Sequence, residues 1–181
     1  MKKTIVIYYS NKGNNKYLAQ KIADNLNCDI EEIRPLINVQ LLMMMGLSLG
    51  LRRLRYNIED YDRVILMGPV WMGKFIRPLK DFVNKYKKRI NELIFVSCCG
   101  SSFEKKDERF GHGLVFNVVK EMLGEKCVHC EALPITLVLA EDKQEDPETV
   151  MKTRLSDDNF EGEIVERYNL LLMGLSLGLR P

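Results

Sequence analysis

Apolar, β-branched runs alternate with amphipathic segments along this chain, and that rhythm restricts the fold more than any other feature. Residues 3–9 (KTIVIYY) form a run suited to a buried strand. Residues 14–26 then place Tyr17, Leu18, Ile22 and Leu26 at helical spacing, with Lys16, Gln20, Lys21 and Asp24 outward. A second, partly exposed strand is expected over 28–35, where Pro35 stops it. Further strands are expected over 61–68 (YDRVILMG), 92–100 (ELIFVSCCG) and 132–140 (ALPITLVLA). Helices are expected over 76–90 and over 113–124, which Gly124 closes. A closing helical region follows, in which Pro147 suits a first turn.

Continuously apolar strands separated by helices imply a parallel sheet covered on both faces. Five such strands give an α/β, doubly wound sheet in one domain spanning 1–181, with an apolar insert at about 36–55 and an apolar tail at about 170–181. Ligands of such sheets bind where loops leave the carboxyl ends of the strands. That rule selects three loops: after Tyr9, after Gly68 and after Cys98.

The first loop is Ser10-Asn11-Lys12-Gly13-Asn14-Asn15. A helix start exposes unpaired N–H groups and partial positive charge, which suits an anion. Gly13 allows a tight turn, Ser10, Asn14 and Asn15 add side-chain donors, and Lys12 adds charge. Small polar residues also serve simply as helix caps, so composition alone leaves both roles open. Neither the triphosphate motif G-x-x-x-x-G-K-[ST] nor the dinucleotide motif G-x-G-x-x-G is present. A monophosphate is the natural guest.

At these residues the chain resembles the flavodoxin family, whose phosphate loop reads Ser/Thr-x-Thr-Gly-Asn-Thr. Ser10, Gly13 and Asn14 match in place, while Lys12 and Asn15 replace two hydroxyl donors by an ammonium and an amide. The resemblance extends to the second loop, Gly68-Pro69-Val70-Trp71-Met72-Gly73-Lys74, which holds the one Trp of the chain. In flavodoxins an aromatic residue here covers one face of the flavin, and such stacking buries a large area. The resemblance implies strand order 2-1-3-4-5, FMN as cofactor, and contacts from Pro69, Val70, Trp71, Met72 and Gly73. It also implies that Ser97, Cys98, Cys99 and Gly100 supply backbone groups to the flavin's pyrimidine edge, with Phe103 the aromatic nearest its second face. The redox chemistry would belong to the cofactor, so no catalytic acid, base or nucleophile is assigned.

Charge and cysteines bound the rest. Twenty-seven Lys and Arg against 25 Asp and Glu leave a net charge of +2, too small an excess for a dedicated nucleic-acid binder. The first apolar run ends at Ser10, short of the about 7–15 residues of a signal peptide core. No segment reaches the about 20 apolar residues of a membrane span. Five cysteines (28, 98, 99, 127, 130) are an odd set that suits reduced thiols in a cytoplasmic protein. Cys98 and Cys99 read as small fillers at a strand end. The pair Cys127 and Cys130 has thioredoxin-like spacing but falls between a predicted helix and strand, with no second pair for zinc. The basic residues Lys80, Lys85, Lys87, Lys88 and Arg89 read as a solvated helix face that could steer an acidic partner.

One feature stands outside this frame. MGLSLGLR occurs twice, as Met45–Arg52 and Met173–Arg180. The copies could pack as related helices within the chain or across a dimer, touch a membrane surface or lipophilic substrate, or have no role; packing is favoured for the first copy. The functional expectation is an FMN redox protein that passes electrons to a partner protein or small acceptor. Its alternatives are a quinone-linked, protoporphyrinogen-oxidase-like oxidoreductase and a flavin-free interaction module.

Overall fold

The computed structural model describes residues 2–37, 45 and 47–177. Five parallel strands form the main sheet: β1 (Thr4–Tyr8), β2 (Asp29–Glu32), β3 (Arg63–Met67), β6 (Glu92–Ser97) and β7 (Cys127–Ala132), in the order β2-β1-β3-β6-β7. This is the expected 2-1-3-4-5 arrangement with a small ribbon inserted. That ribbon pairs β4 (Val70–Trp71) antiparallel with β5 (Lys74–Phe75). The helices are α1 (Asn14–Leu26), α2 (Arg77–Tyr86), α3 (His112–Leu123), α4 (Pro147–Lys152) and α5 (Glu163–Leu177).

Strand alternation divides the core in two. Ile5 and Ile7 of β1 point to one face, where they join Leu79, Phe82 and Val83 of α2 and Val115 and Val119 of α3. Val6 and Tyr8 point to the other, against Leu18, Ile22 and Leu26 of α1 and Ile164, Tyr168 and Leu171 of α5. Both faces of β1, β3 and β6 are buried, which is why these strands read as unbroken apolar runs. α1 ends where Asn27 takes a left-handed conformation (φ 45°) and its N–H returns to the carbonyls of Ala23 and Asp24, a helix-stop geometry that Asn tolerates.

The expected fifth strand is corrected. The strand that pairs with β6 is Cys127–Ala132, ahead of most of the 132–140 run. Its mixed sequence, CVHCEA, belongs to a half-buried edge strand with a neighbour on one side only. The ladder continues briefly, with Leu133 N–H donating to Ser97 O and Ile135 N–H to Cys99 O, both at 2.8 Å. Pro134 has no N–H to add, and the chain winds into a 3-10 turn over Ile135–Val138. Leu133 and Ile135 are buried in the second core rather than in a strand.

Among the described residues, the β2–β3 connection holds no α-helix, only a 3-10 turn at Ile58–Asp60. Leu51 pairs with Pro35 in an isolated antiparallel bridge, and the buried Glu31 carboxylate accepts from the N–H groups of Arg55 (2.7 Å) and Tyr56 (3.1 Å). In the tail, Leu171 and Leu175 of α5 are buried, so the second MGLSLGLR copy enters the core through a helix, while the described residues of the first are not helical. Residues 38–44, 46 and 178–181, and with them one glycine of each Gly-x-x-x-Gly, lie outside the described residues. No described helix is long and apolar enough to cross a membrane.

Candidate functional site

A cleft of about 360 Å³ opens at the carboxyl ends of β1, β3 and β6, the position the topology favours and a size within the usual range for small-molecule sites. Its lining includes Ser10, Asn11, Lys12, Asn14 and Asn15 from the first loop, Pro69, Val70, Trp71 and Met72 from the second, and Cys98, Cys99 and Gly100 from the third. The three loops chosen from the sequence therefore converge. Among the described residues no carboxylate lines the cleft, and two cationic side chains, Lys12 and Arg154, do.

Gly13 caps α1 with φ 100°, a left-handed backbone that a Cβ would strain. No side chain caps the first turn, so its N–H groups face outward with the helix dipole behind them. Ser10 Oγ accepts from Gly13 N–H (3.2 Å) and keeps its own hydrogen to donate.

The two asparagines depart from the role expected of them. Asn15 is buried, and its carboxamide is committed to Cys98 at both ends: Nδ2 donates to Cys98 O (3.1 Å) and Oδ1 accepts from Cys98 N–H (2.9 Å). Asn14 does the same with the chain after α4, donating to Thr153 O (3.2 Å) and accepting from Leu155 N–H (3.1 Å). These amides fasten two segments to the first loop. The donors turned to the cleft are the backbone N–H groups and the Ser10 hydroxyl, while Lys12 Nζ reaches Met151 O at 3.2 Å.

Trp71 sits at the end of the β4–β5 ribbon, half-buried and edge-on to Tyr9 (centroids 6.3 Å, 71°). The ribbon turns through Met72 (φ 50°) and Gly73 (φ 68°), the type I′ geometry that favours Asn-Gly. A Cβ on Gly73 would also come within 2.5 Å of Arg109 O. Met72 therefore bears a left-handed conformation without the local hydrogen bonding that eases it in Asn. We expect Met72→Asn to stabilise the apoprotein by about 1 kcal/mol, a melting-temperature rise of about 2–4 °C in a thermal scan. An unchanged or lower transition would show that Met72 bears no strain at this turn.

In the third loop, Ser97 lies fully buried beneath the cleft rather than on its wall. Cys98 and Cys99 are buried, and desolvation pushes both thiols upward, Cys99 to about 11, so both stay protonated at neutral pH. Phe103 lies outside the lining. Its ring meets His112 edge-on (5.7 Å) and carries the Arg167 guanidinium at 3.8 Å. His112 is itself buried, with Nδ1 2.9 Å from Ser101 Oγ, and desolvation lowers its pKa. The described residues hold no cluster of three metal-ligating side chains.

Sequence reasoning missed the fourth wall, formed by Ile135, Val150, Met151 and Arg154. Asp146 starts this segment by accepting from Glu148 N–H (3.3 Å) and Thr149 N–H (3.0 Å), a capped α4 with Pro147 at its first turn. The first-turn proline was legible; nothing local says that the segment after α4 will pack on a loop more than 130 residues earlier in the chain.

A family model described as a flavodoxin domain matches residues 48–130. Among solved structures, the fold is similar to a flavoprotein in complex with FMN from Lactobacillus acidophilus NCFM (18% identity, 73% of this chain and 93% of that one, TM-score 0.61). It is also similar to an NADPH-quinone reductase from P. pentosaceus (15%, 93% and 96%, TM-score 0.55) and to oxidised Flavodoxin 2 from Bacillus cereus (12%, 98% and 99%, TM-score 0.52). No curated protein matches the chain. In strand order and in the placing of its cleft, the chain has a flavodoxin-like fold, and residues 48–130 match the flavodoxin domain model.

Proposed function

We propose that the cleft binds FMN without a covalent bond and that the protein works as a redox carrier or oxidoreductase. One observation carries the reading: the uncapped, glycine-turned start of α1 and the Trp71 ring line the same cleft. The first suits a phosphate monoester, the second a flat aromatic ring. The residues fit the group in charge as well, since Lys12 and Arg154 would face its phosphate and no carboxylate among the described lining residues would oppose it. Bound there, FMN would supply reversible uptake and release of electrons.

The chain's own residues would hold and screen it. Backbone N–H groups of residues 14–16 and the Ser10 hydroxyl take the phosphate; Trp71, Val70 and Met72 cover one side of the ring; Cys98, Cys99 and Gly100 border the other. The FMN complex of one structural neighbour and the reductase name of another support this reading.

Titration of the apoprotein with FMN should quench flavin fluorescence and raise the melting temperature, and Trp71→Ala should weaken binding about tenfold, or about 1.4 kcal/mol. Protein that neither quenches FMN nor gains stability from it would rule the proposal out in favour of a flavin-free interaction module.

A further inference from the structure

The sequence pair Cys127 and Cys130 lies inside β7, where residues three apart in a regular strand face opposite sides. Here they do not. The β6–β7 ladder pairs Leu93 with Cys127, Ile94 with His129 and Phe95 with Cys130, passing over Val128. That bulge adds one residue to β7. It sets both thiols opposite Leu93 and Phe95, two residues of β6 that share the first core face. Val128 packs on the other core instead. The Sγ atoms stand 3.6 Å apart in a sulfur–sulfur hydrogen bond. Closing to a disulfide of about 2.05 Å needs about 1.5 Å of side-chain motion.

Three further features fit reactivity. Both residues are half-buried rather than sealed. β7 pairs only with β6, so its outer edge is open to a reactant. The hydrogen bond shared with Cys130 holds the Cys127 thiol below its ordinary value against the cost of burial, with the Lys120 ammonium adding to the effect; the Cys130 thiol is raised in turn. A nucleophile and a resolving partner are thereby distinguished. Cys28, Cys98 and Cys99 have no such arrangement; burial raises all three thiols.

We propose that Cys127 and Cys130 form a reversible dithiol site on the edge strand, oxidised by small-molecule disulfides. The Cys127 thiolate attacks one sulfur of the disulfide, forming a mixed disulfide and expelling one thiolate, which takes up the proton Cys127 gave to solvent. Cys130 loses its proton and attacks Cys127 Sγ, closing the intramolecular bond and expelling the second thiol. Two protein thiols are oxidised and one small disulfide is reduced to two thiols. Neither cysteine lines the cleft, so the inference stands apart from the FMN reading.

The test uses the reduced full-length protein, equilibrated with glutathione disulfide, denatured, alkylated and mapped by mass spectrometry. The expected product has two fewer alkylatable thiols than the five of the reduced chain, with a mass loss of about 2 Da and a peptide joining Cys127 to Cys130. Cys130→Ser should trap glutathione on Cys127, and Cys127→Ser should slow loading of Cys130 about tenfold or more. Five alkylatable thiols after equilibration, or a bond mapped to Cys28, Cys98 or Cys99, would overturn the proposal. The wild-type result decides the matter even where a variant folds poorly.

Discussion

Asn15→Leu is expected to cost about 2–5 kcal/mol of stability and to weaken flavin binding with it. The substitution keeps the volume but removes both ends of the amide clasp on Cys98. The Cys98 N–H and C=O then lose their partner in a site from which water is nearly excluded, since Asn15 is 3% and Cys98 5% exposed. Each buried group left without a partner costs about 1–3 kcal/mol. The clasp also joins the first turn of α1 to the third loop, so its loss lets two walls of the cleft move independently. Urea unfolding of the apoprotein reads the first effect, and FMN fluorescence titration reads the second. A variant within about 0.5 kcal/mol of the parent would show that the clasp is idle.

The second large effect lies at the opposite end of the sheet. Arg63 opens β3 with its side chain 3% exposed, and its Nε donates to Glu92 Oε1 at 2.7 Å. Its Nη1 donates to Leu175 O of α5 at 2.8 Å, and Lys2 also pairs with the Glu92 carboxylate. Glu92→Leu would leave the buried guanidinium without its counter-charge. Such losses cost about 3–5 kcal/mol, and we expect about 3 because the carboxylate side chain keeps 17% exposure. Arg63→Met in the same chain should recover part of the loss, since no buried charge then remains.

The pair also sets a pH dependence. Burial raises the Glu92 carboxyl, but hydrogen bonds and charge from Lys2 and Arg63 outweigh it and hold the group below its ordinary value of 4.5. A carboxyl depressed in the folded state stabilises above its unfolded pKa and loses that contribution as pH falls through the folded value. The stability difference between the parent and Glu92→Gln should therefore be full at neutral pH and shrink below about pH 4.5. A difference that persists undiminished at low pH would show that charge is not its source.

Much of the site could be read from sequence because its signals are local. Ser10–Asn15 announced themselves by composition and by place after a strand, and Gly13 by the left-handed turn that only it takes easily. Pro69, Trp71 and Gly73 did so by turn chemistry. Residues whose role lies in a long-range partner were not legible. Asn14 and Asn15 looked like phosphate donors and proved to be clasps to Thr153, Leu155 and Cys98. Arg154 and Met151 carried no motif at all. Phe103 was chosen for being the nearest aromatic in sequence, whereas Arg167 and His112 engage its ring in space. Cys127 and Cys130 were set outside the strand because CVHCEA lacks the apolar run of a central strand, and a bulge is not written in hydrophobic period.

The sequence by itself determined the element rhythm, the two-faced core and the three loops that meet at the cleft. Each depends on side-chain periodicity and turn residues within a few positions of one another. The repeat shows where that determination stops. In the first copy Leu47 is 54% exposed, Ser48 Oγ accepts from Gly50 N–H, and Gly50 turns with φ 95°. In the second, Met173–Leu177 continue α5, where Leu175 is 3% exposed and its carbonyl meets buried Arg63. Identical residues have identical propensities, so local preference cannot separate the two outcomes. The tail follows a helix already seated on the second core, and burial of Leu171 and Leu175 adds to each hydrogen bond it extends. The insert follows the β2 edge, where Leu51 is held by a bridge to Pro35 instead. Tertiary structure alone decided between helix and irregular chain, because the deciding free energy comes from the surface each copy meets.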